Sequence, residues 1–499
     1  MHYESLAAVD LGSNSFHLQI GRVVDDQIYA LDALREPVRL AAGLDAEGNL
    51  DEPTQLRALA TLSRFGERLR GFAPGAVRAV GTNALRVAGN ASQFLERAHD
   101  ALGFPVEVLY GREEARLIYL GVVHSLPSTR KRRLVMDIGG GSTEFIVGTG
   151  HKPALTESLS MGCITYTLRF FPDGRIDKSS MKKAIIAAGE EAQAIVRKFV
   201  AVGWHEAVAS SGTANTIAAV LQAVGWGEGT ITAAGLHRLR THLVKTGTVE
   251  GLPTVRTDRQ AILPGGVAVM CAAFEAFGLE EMMVSEAALR QGVLYDLLGR
   301  VQHRDMRQST VEQYMRRYQV DRDQAERVAR LARQIYTSLA DSPDEDELQL
   351  LDWAARLHEI GLSIARASYR KHSAYVIANA DMPGFSKNEQ ARLARIVLAH
   401  CGKLPKPGLP AEDAERLLIL SLRLAALFYR SRADLRLPLL QCRATERGFR
   451  IDLPKHWLAA HPLTAAALEA EAQAWQGQGV NLDIRETGNS ERPNPVAVP

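Results

Sequence analysis

Short apolar runs alternate with amphipathic segments over the first part of the chain. Ala76–Val80 and Val106–Tyr110 have the length and the flanking turns of buried strands. Ala91–Leu102 and Glu113–Leu120 have helical periodicity instead. A strand at Glu206–Ala209, a Ser/Gly turn and another helix repeat the pattern farther along. This alternation predicts an α/β fold.

From about Ser309 glycine becomes scarce and long amphipathic helices dominate. The predicted helices are Asp323–Leu339, Leu348–Leu357, Asn388–Ala399 and Ala414–Tyr429. Beyond Ser431, strands at Leu435–Arg443 and Phe449–Leu453 and a helix at Pro462–Trp475 predict a small α+β domain. The polar, proline-rich stretch Glu486–Pro499 is typical of a disordered tail.

The strongest feature is an internal repeat. The segments AVDLGSNS (8–15) and VMDIGGGS (135–142) are each followed by an apolar run that ends in glycine. The matched pairs are Asp10 with Asp137, Gly12 with Gly139, Ser15 with Ser142, and Gly21 with Gly148. Each copy predicts a strand, an aspartate, a Gly/Ser turn and a second strand. Two copies in register predict two related α/β domains.

These observations together predict five segments. Residues 1–124 and 125–308 form the two α/β domains, and 309–430 form the helical domain. Residues 431–485 form the small α+β domain, and 486–499 form the tail.

Composition narrows the class of protein. Among 499 residues, 46% are hydrophobic and 23% are charged, which excludes a disordered or fibrous chain. The net charge of +2 excludes a polycation that coats nucleic acid, so an anion site must be a local arrangement of charge. The four cysteines are far apart and form no CxxC, which favours a reducing compartment. The sequence contains no apolar stretch of about 18 residues, so it predicts no membrane-spanning helix.

The two Gly/Ser turns carry the candidate chemistry. Such turns let backbone N–H groups converge on an anion, typically a phosphate. Ser13, Asn14, Ser15 and Ser142 add side-chain donors. Asp10 and Asp137 end their strands beside these turns, where a carboxylate repels phosphate unless a cation lies between them. With Glu144 close in sequence, the pattern predicts Mg²⁺ or a similar hard ion. One copy alone would fit an ordinary hairpin equally well.

Several motifs occur in a fixed order: DLGSNSFH (10–17), GTNALR (81–86), EEARLIY (113–119), DIGGGSTE (137–144), SMGC (160–163) and SGT (211–213). In this set the chain resembles the exopolyphosphatase/guanosine pentaphosphate phosphohydrolase (Ppx/GppA) family. The resemblance covers nearly the whole chain, including the helical extension of the long bacterial members.

The resemblance implies two ribonuclease-H-like domains of the actin, sugar-kinase and heat-shock ATPase type, which face each other across a cleft. An HD-like helical domain and the small α+β domain follow. Glu114 is the implied base that activates water, and Asp10, Asp137 and Glu144 are the implied metal ligands. The implied phosphate-binding residues are Gly12, Ser13, Asn14, Ser15, Arg86, Gly139, Gly140, Gly141, Ser142, Gly212 and Thr213.

The resemblance also implies an activity. The leading interpretation is hydrolysis of the terminal phosphate of inorganic polyphosphate, and the alternative is conversion of guanosine pentaphosphate to the tetraphosphate. An ATP-dependent kinase and a non-catalytic polyphosphate or alarmone sensor are two further classes. Mg²⁺ is the expected cofactor, with K⁺ as a second candidate ion. We expect a cytoplasmic homodimer, with a peripheral position at the inner membrane as an alternative, and no nucleic-acid partner.

Two segments depart from the family pattern. In LHEIG (357–361), Glu359 stands where the HD motif has aspartate, and the upstream histidine is replaced around Tyr336. We therefore expect no working metal site in the helical domain, and His358 to make a structural hydrogen bond. In SEAALR (285–290), Ala287 replaces a glycine, which predicts local strain if that position needs positive φ.

Overall fold

The computed structural model describes residues 3–24, 27–127, 129–301, 305–404, 413–435, 437–438, 440–445 and 448–487. The chain divides into two compact units, Met1–Met306 and Arg307–Pro499. The first unit contains two lobes, each built around its own sheet. The finer domain boundaries drawn from the sequence stay predictions.

The described residues of the first lobe form a five-stranded sheet in the order β3–β2–β1–β4–β5. Its strands are β1 (Ser5–Leu11), β2 (Phe16–Val24), β3 (Gln27–Glu36), β4 (Val77–Gly81) and β5 (Val106–Val108), and its helices are α1 (Glu52–Arg68), α2 (Asn83–Val87), α3 (Ala91–Leu102) and α4 (Gly111–Ser125). Alternate residues of β1 enter different cores, because side chains alternate across a sheet. Val9 joins the core that contains α1 and α3, and Ala8 joins the core that contains α4.

The described residues of the second lobe form a six-stranded sheet in the order β10–β11–β9–β6–β7–β8. Its strands are β6 (Arg132–Ile138), β7 (Thr143–Thr149), β8 (Lys152–Leu159), β9 (Glu206–Ser210), β10 (Ile231–Thr232) and β11 (Glu281–Val284). Its helices are α5 (Cys163–Phe170), α6 (Lys178–Val202), α7 (Ser211–Ala223), α8 (Ala233–Thr246), α9 (Thr257–Gln260), α10 (Leu263–Phe277) and α11 (Leu289–Val301).

The two sheets repeat one topology. In each, an antiparallel hairpin (β1–β2 or β6–β7) is followed by a parallel neighbour of its first strand (β4 or β9). The repeated aspartates occupy the same register position, since Asp10 is paired with His17 and Asp137 with Glu144. The two related α/β domains predicted from the sequence repeat are therefore confirmed, and so is the ribonuclease-H-like architecture that the family resemblance implies.

The last helices of the two lobes, α4 and α11, pack tightly against each other. A Cβ atom on Gly121 would lie 2.1 Å from the carbonyl oxygen of Ala288, and one on Gly292 would lie 1.7 Å from that of Leu117. Only glycine permits this approach. Ala287, just before α11, is not among the residues with positive φ, so the strain considered from the sequence is absent at this position.

The second unit is helical with one small sheet. Its helices are α12 (Met306–Arg317), α13 (Arg322–Leu339), α14 (Glu345–Leu357), α15 (Tyr369–Asn379), α16 (Lys387–Ala399), α17 (Asp413–Phe428), α18 (Lys455–Ala460) and α19 (Pro462–Gln476). Strands β12 (Gln441–Thr445), β13 (Gly448–Pro454) and β14 (Asn481–Thr487) form the sheet in that order. Ile451 and Trp475 from this part share one hydrophobic core with Leu351 and Ile396 of the helices.

Several element bounds differ from the sequence predictions. The strand predicted at Leu435–Arg443 begins only at Gln441, so its predicted start is wrong. Pro438 in the predicted segment has no backbone N–H to donate to a neighbouring strand. The helix predicted from Glu113 begins at Gly111 and runs to Ser125. The first two residues of the predicted tail end β14, and residues 488–499 lie outside the described residues. Within the described ranges, no helix is long and apolar enough to cross a bilayer.

Candidate functional site

A cavity of about 360 Å³ lies between the two lobes of the first unit, and both lobes contribute to its lining. Most of the predicted site residues line it: Asp10, Gly12, Ser13, Asn14, Ser15, Glu114, Asp137, Gly139, Gly140, Ser142 and Gly212. Arg86, Gly141, Glu144 and Thr213 do not line it. The fold thus brings the two copies of the sequence repeat to one cleft.

The two Gly/Ser loops of this cleft have matching geometry. A Cβ atom on Gly12 would lie 2.9 Å from the carbonyl oxygen of Ser15, and one on Gly139 would lie 3.1 Å from that of Ser142. The loops also approach each other, since a Cβ atom on Gly140 would lie 2.8 Å from Cβ of Ser13. Larger residues would separate the loops. Turns of this kind can direct backbone N–H groups at one phosphoryl group.

Asp10 and Asp137 lie beside these loops, where Asp137 is buried and Asp10 is half-buried. Oδ1 of Asp10 is buried and has no hydrogen-bond partner among the described residues. Burial raises the pKa of Asp10 to about 7; the charge of Arg290 opposes this shift and that of Glu114 adds to it. Burial likewise raises the pKa of Asp137 to about 6, although Oγ of Ser210 donates a hydrogen bond of 2.5 Å to its Oδ2. Two neighbouring carboxylates whose charges are only partly compensated by the protein favour the binding of a cation.

This donor set fits Mg²⁺ in one particular way. No three His, Cys, Asp or Glu side chains within the described ranges are arranged to hold a metal ion together, so the predicted trio of Asp10, Asp137 and Glu144 is not a preformed metal site. Mg²⁺ usually takes one or two carboxylates and completes its shell with water and substrate phosphates. Asp10, with its unpartnered oxygen, and Asp137 meet that requirement.

Glu144 occupies a different position from the one predicted for it. It lies on β7 opposite Asp137, is 1% exposed, and its Oε1 accepts a hydrogen bond of 2.8 Å from Oγ of Ser158. Burial and the nearby charges of Glu114 and Asp137 raise its pKa well above the usual range. Glu144 is therefore close to the carboxylates of the cleft but does not line the cavity.

Glu114 is held in place by an arginine. It lies in the first turn of α4, is 7% exposed, and its Oε2 accepts a hydrogen bond of 3.0 Å from Nη1 of Arg86. The same Arg86 nitrogen donates to the carbonyl oxygen of Leu109 at 2.9 Å, which fixes the guanidinium. Burial raises the pKa of Glu114, and the charge and hydrogen bond of Arg86 oppose that rise. Arg86 thus orients the candidate base, and its predicted contact with phosphate stays a prediction.

Substituting Arg86 with glutamine should change the pH dependence of catalysis. Glu114 accepts a proton only when it is ionised, and the Arg86 cation favours the ionised form. Without that cation the pKa of Glu114 rises further, so activity is lost at a higher pH on the acidic side. We expect the acidic limb of the kcat/KM profile to move up by about 1–3 pH units. An acidic limb at the wild-type pH in Arg86→Gln would separate Arg86 from the ionisation of Glu114.

The structure adds arginines to the cleft that the motif analysis missed. Arg35, Arg256, Arg259 and Arg290 all line the cavity. Arg290 contacts Nδ1 of His17, which is another lining residue, and burial together with that arginine lowers the pKa of His17 to about 2. Arg290 lies in the SEAALR segment and His17 in the first repeat. Both segments stood out in the sequence, whereas nothing local indicated Arg35 or Arg256.

A third loop reaches the cavity at the start of α7. Ser211 has φ of 93°, which is uncommon outside glycine and is often found at functional sites. Next to it, a Cβ atom on Gly212 would lie 2.0 Å from Nη2 of Arg259. The absence of a side chain at Gly212 therefore lets the guanidinium of Arg259 lie directly on this loop.

In the helical unit, His358 and His400 form a buried pair with ring centroids 5.0 Å apart. Each Nδ1 lies 2.6 Å from a backbone carbonyl oxygen, of Ala355 and of Val397 respectively. Nε2 of His400 lies 3.0 Å from the Tyr369 hydroxyl. Burial lowers the pKa of both histidines, so both rings are neutral and hydrogen-bonded within the core. The structural hydrogen bond expected for His358 is thus present.

The fold and the cleft define a two-lobed α/β protein with paired loops of phosphate-binding type. Residues 19–301 match the model of the Ppx/GppA phosphatase family, and residues 306–472 match that of the Ppx/GppA phosphatase domain III. The chain belongs to the Ppx/GppA phosphatase family.

Solved structures of the family share this fold. A Ppx/GppA family member from Aquifex aeolicus is 26% identical, with a TM-score of 0.52, over 60% of this chain and 99% of that one. An exopolyphosphatase from Cytophaga hutchinsonii is 26% identical, with a TM-score of 0.54, over 59% and 97% of the two chains. An exopolyphosphatase-like protein is 23% identical, with a TM-score of 0.55, over 60% and 100%, and it supports the fold alone.

Proposed function

We propose that this protein is an exopolyphosphatase, which removes the terminal phosphate of inorganic polyphosphate by attack of water. The observation that carries the proposal is the lining of the cleft. Four arginines line it, and none of the described lining residues is Phe, Tyr or Trp. A chain of phosphates needs cations along its length, whereas a nucleobase is commonly held by stacking on an aromatic ring.

In the proposed reaction each part of the cleft has a role. The two Gly/Ser loops hold the terminal phosphoryl group, and their N–H groups stabilise the charge that develops on its equatorial oxygens. Glu114 accepts the proton of the attacking water. Asp10 and Asp137 are the residues that would hold Mg²⁺. Bound there, the ion would neutralise negative charge on the substrate phosphates.

The proposal is tested by measuring phosphate release side by side on long-chain polyphosphate and on guanosine pentaphosphate, with Mg²⁺ and with a chelator. We expect kcat/KM to be at least about tenfold higher for polyphosphate, a difference of about 1.4 kcal/mol in transition-state binding. A higher value for guanosine pentaphosphate would make the alarmone the substrate. ATP turnover without polyphosphate would favour a kinase, and binding without any phosphate release would favour a sensor.

A further inference from the structure

Beside the cleft, one carboxylate links arginines of the two lobes. Oδ2 of Asp258 lies 2.6 Å from Nη2 of Arg35, which is on β3 of the first lobe. Oδ1 of the same carboxylate lies 3.1 Å from Nε of Arg256 in the second lobe. Arg35 and Arg256 line the cavity, whereas Asp258 is not part of the lining. Each oxygen of Asp258 is therefore engaged by a different cation of the cleft.

The surroundings place this group at the open side of the cleft. The Arg256 side chain is 69% exposed, while those of Arg35 and Asp258 are 23% and 16% exposed. Nη2 of Arg35 also lies 3.3 Å from Oγ of Ser15, which belongs to the first Gly/Ser loop. The ion pairs thus extend from the phosphoryl-binding loop toward solvent.

Asp258 only partly neutralises the positive charge of this group. Although burial opposes ionisation, the hydrogen bond and the charge of Arg35 keep the pKa of Asp258 below its usual range. Arg259 is close enough for its charge to contribute as well. One carboxylate faces three guanidinium groups, and each guanidinium has five N–H donors. The group retains the capacity to bind further anionic oxygens.

We propose that Asp258 is a specificity-determining residue, an internal anion that competes with the substrate's phosphates for Arg35 and Arg256. This inference rests on the proposed function. A phosphate that lies beyond the reacting one must compete with the Asp258 carboxylate for Nη2 of Arg35 and Nε of Arg256, the donors that Asp258 occupies. A short substrate offers few phosphates for this exchange, whereas a long chain offers many neighbouring ones. Asp258 therefore selects for long polyanions by weakening the binding of short ones.

The test compares Asp258→Asn with the wild type on tripolyphosphate and on long-chain polyphosphate. The variant keeps the shape of the side chain and removes its charge. We expect KM for tripolyphosphate to fall about fivefold with kcat changed less than twofold, as for an ion pair of about 1 kcal/mol. KM for long-chain polyphosphate should change less, so the ratio of the KM values for short and long chains should decrease. Asp258→Glu, which retains the charge, should restore the wild-type discrimination.

Asp32→Asn is the matched control. Asp32 forms an exposed ion pair of 3.2 Å with Arg68, another residue of the first lobe, and does not line the cleft. Removing its charge should therefore leave the KM values for both substrates unchanged. Calorimetric binding of tripolyphosphate to both proteins without divalent ions separates this inference from the proposed function. If the wild type binds tripolyphosphate but releases no phosphate from it, the proposed exopolyphosphatase function is wrong. The binding constants of the two proteins still test the role of Asp258 in that case. A weaker or equal affinity in Asp258→Asn, with the thermal midpoint unchanged, would overturn the proposal.

Discussion

Glu114→Gln is expected to lower kcat by about 10²–10⁴ while substrate binding is retained. Glutamine keeps the size of the side chain and a carbonyl oxygen that can still accept the hydrogen bond from Arg86, so the local packing should survive. It cannot accept the proton of the attacking water. The loss should therefore fall on kcat, with KM within a few-fold of the wild type.

The measurement is steady-state phosphate release, paired with polyphosphate binding in the absence of divalent ions. Glu157→Gln is a suitable control, because Glu157 forms an exposed ion pair with Arg112 in the same region of the lobe interface but does not line the cavity. It should retain wild-type turnover. Turnover of Glu114→Gln within tenfold of the wild type would remove Glu114 from the role of base. Loss of binding together with loss of turnover would instead indicate a structural role.

The part of the site that could be predicted is the part that the sequence repeats. Asp10 and Asp137 follow apolar strands and precede Gly/Ser turns, so a short local pattern identifies both strand ends and both loops. Because the two copies adopt the same topology, the pattern also places them in equivalent positions. The α/β class followed from the alternation of strands and helices, which needs no long-range information.

The remainder depends on contacts between residues that are distant in sequence. Arg35 reaches the cleft because β3 is paired with β2, and Arg259 reaches it because Gly212 has no side chain. No local pattern carries either fact. Arg86 and Glu144 belong to family motifs and lie near Glu114, yet neither side chain lines the cavity. Motif membership therefore indicated proximity to the site and left the role of each residue open.

In the EEAR motif (113–116), too, membership of the motif does not fix the role of a residue, because its two neighbouring glutamates have different surroundings. Glu114 faces the cleft, whereas Glu113 forms a buried ion pair of 2.7 Å with Arg116. Nη2 of Arg116 also lies 2.5 Å from Oδ1 of Asp296 on α11. Oδ2 of Asp296 lies 2.8 Å from Nη1 of Arg78 on β4. From the sequence alone, acidic residues in a first helical turn are equally well explained by the helix dipole.

Asp296 is the centre of this network and is 8% exposed. Besides Arg116 and Arg78, it accepts a hydrogen bond from Arg300. Although burial favours the neutral acid, the charges of Arg116 and Arg78 hold the pKa of Asp296 far below its usual range. The carboxylate thus ties α4, α11 and β4 together at the junction of the two lobes.

Asp296→Asn should be the most destabilising of the single substitutions considered. It leaves buried guanidinium groups without their shared anion, and breaking a buried ion pair in this way costs about 3–5 kcal/mol. Calorimetric unfolding of the full-length protein at neutral pH measures the loss. Glu52→Gln, which breaks an exposed pair with Arg97, is the control and should have a much smaller effect. Because the pKa of Asp296 is lowered on folding, its contribution to stability is complete above the unfolded value of about 3.9 and is lost as the pH falls below it. The difference in unfolding free energy between the wild type and Asp296→Asn should therefore be constant from neutral pH to about pH 5 and decrease only at lower pH. A loss below 1 kcal/mol at neutral pH would show that the arginines find other partners and that the junction of the lobes does not depend on this carboxylate.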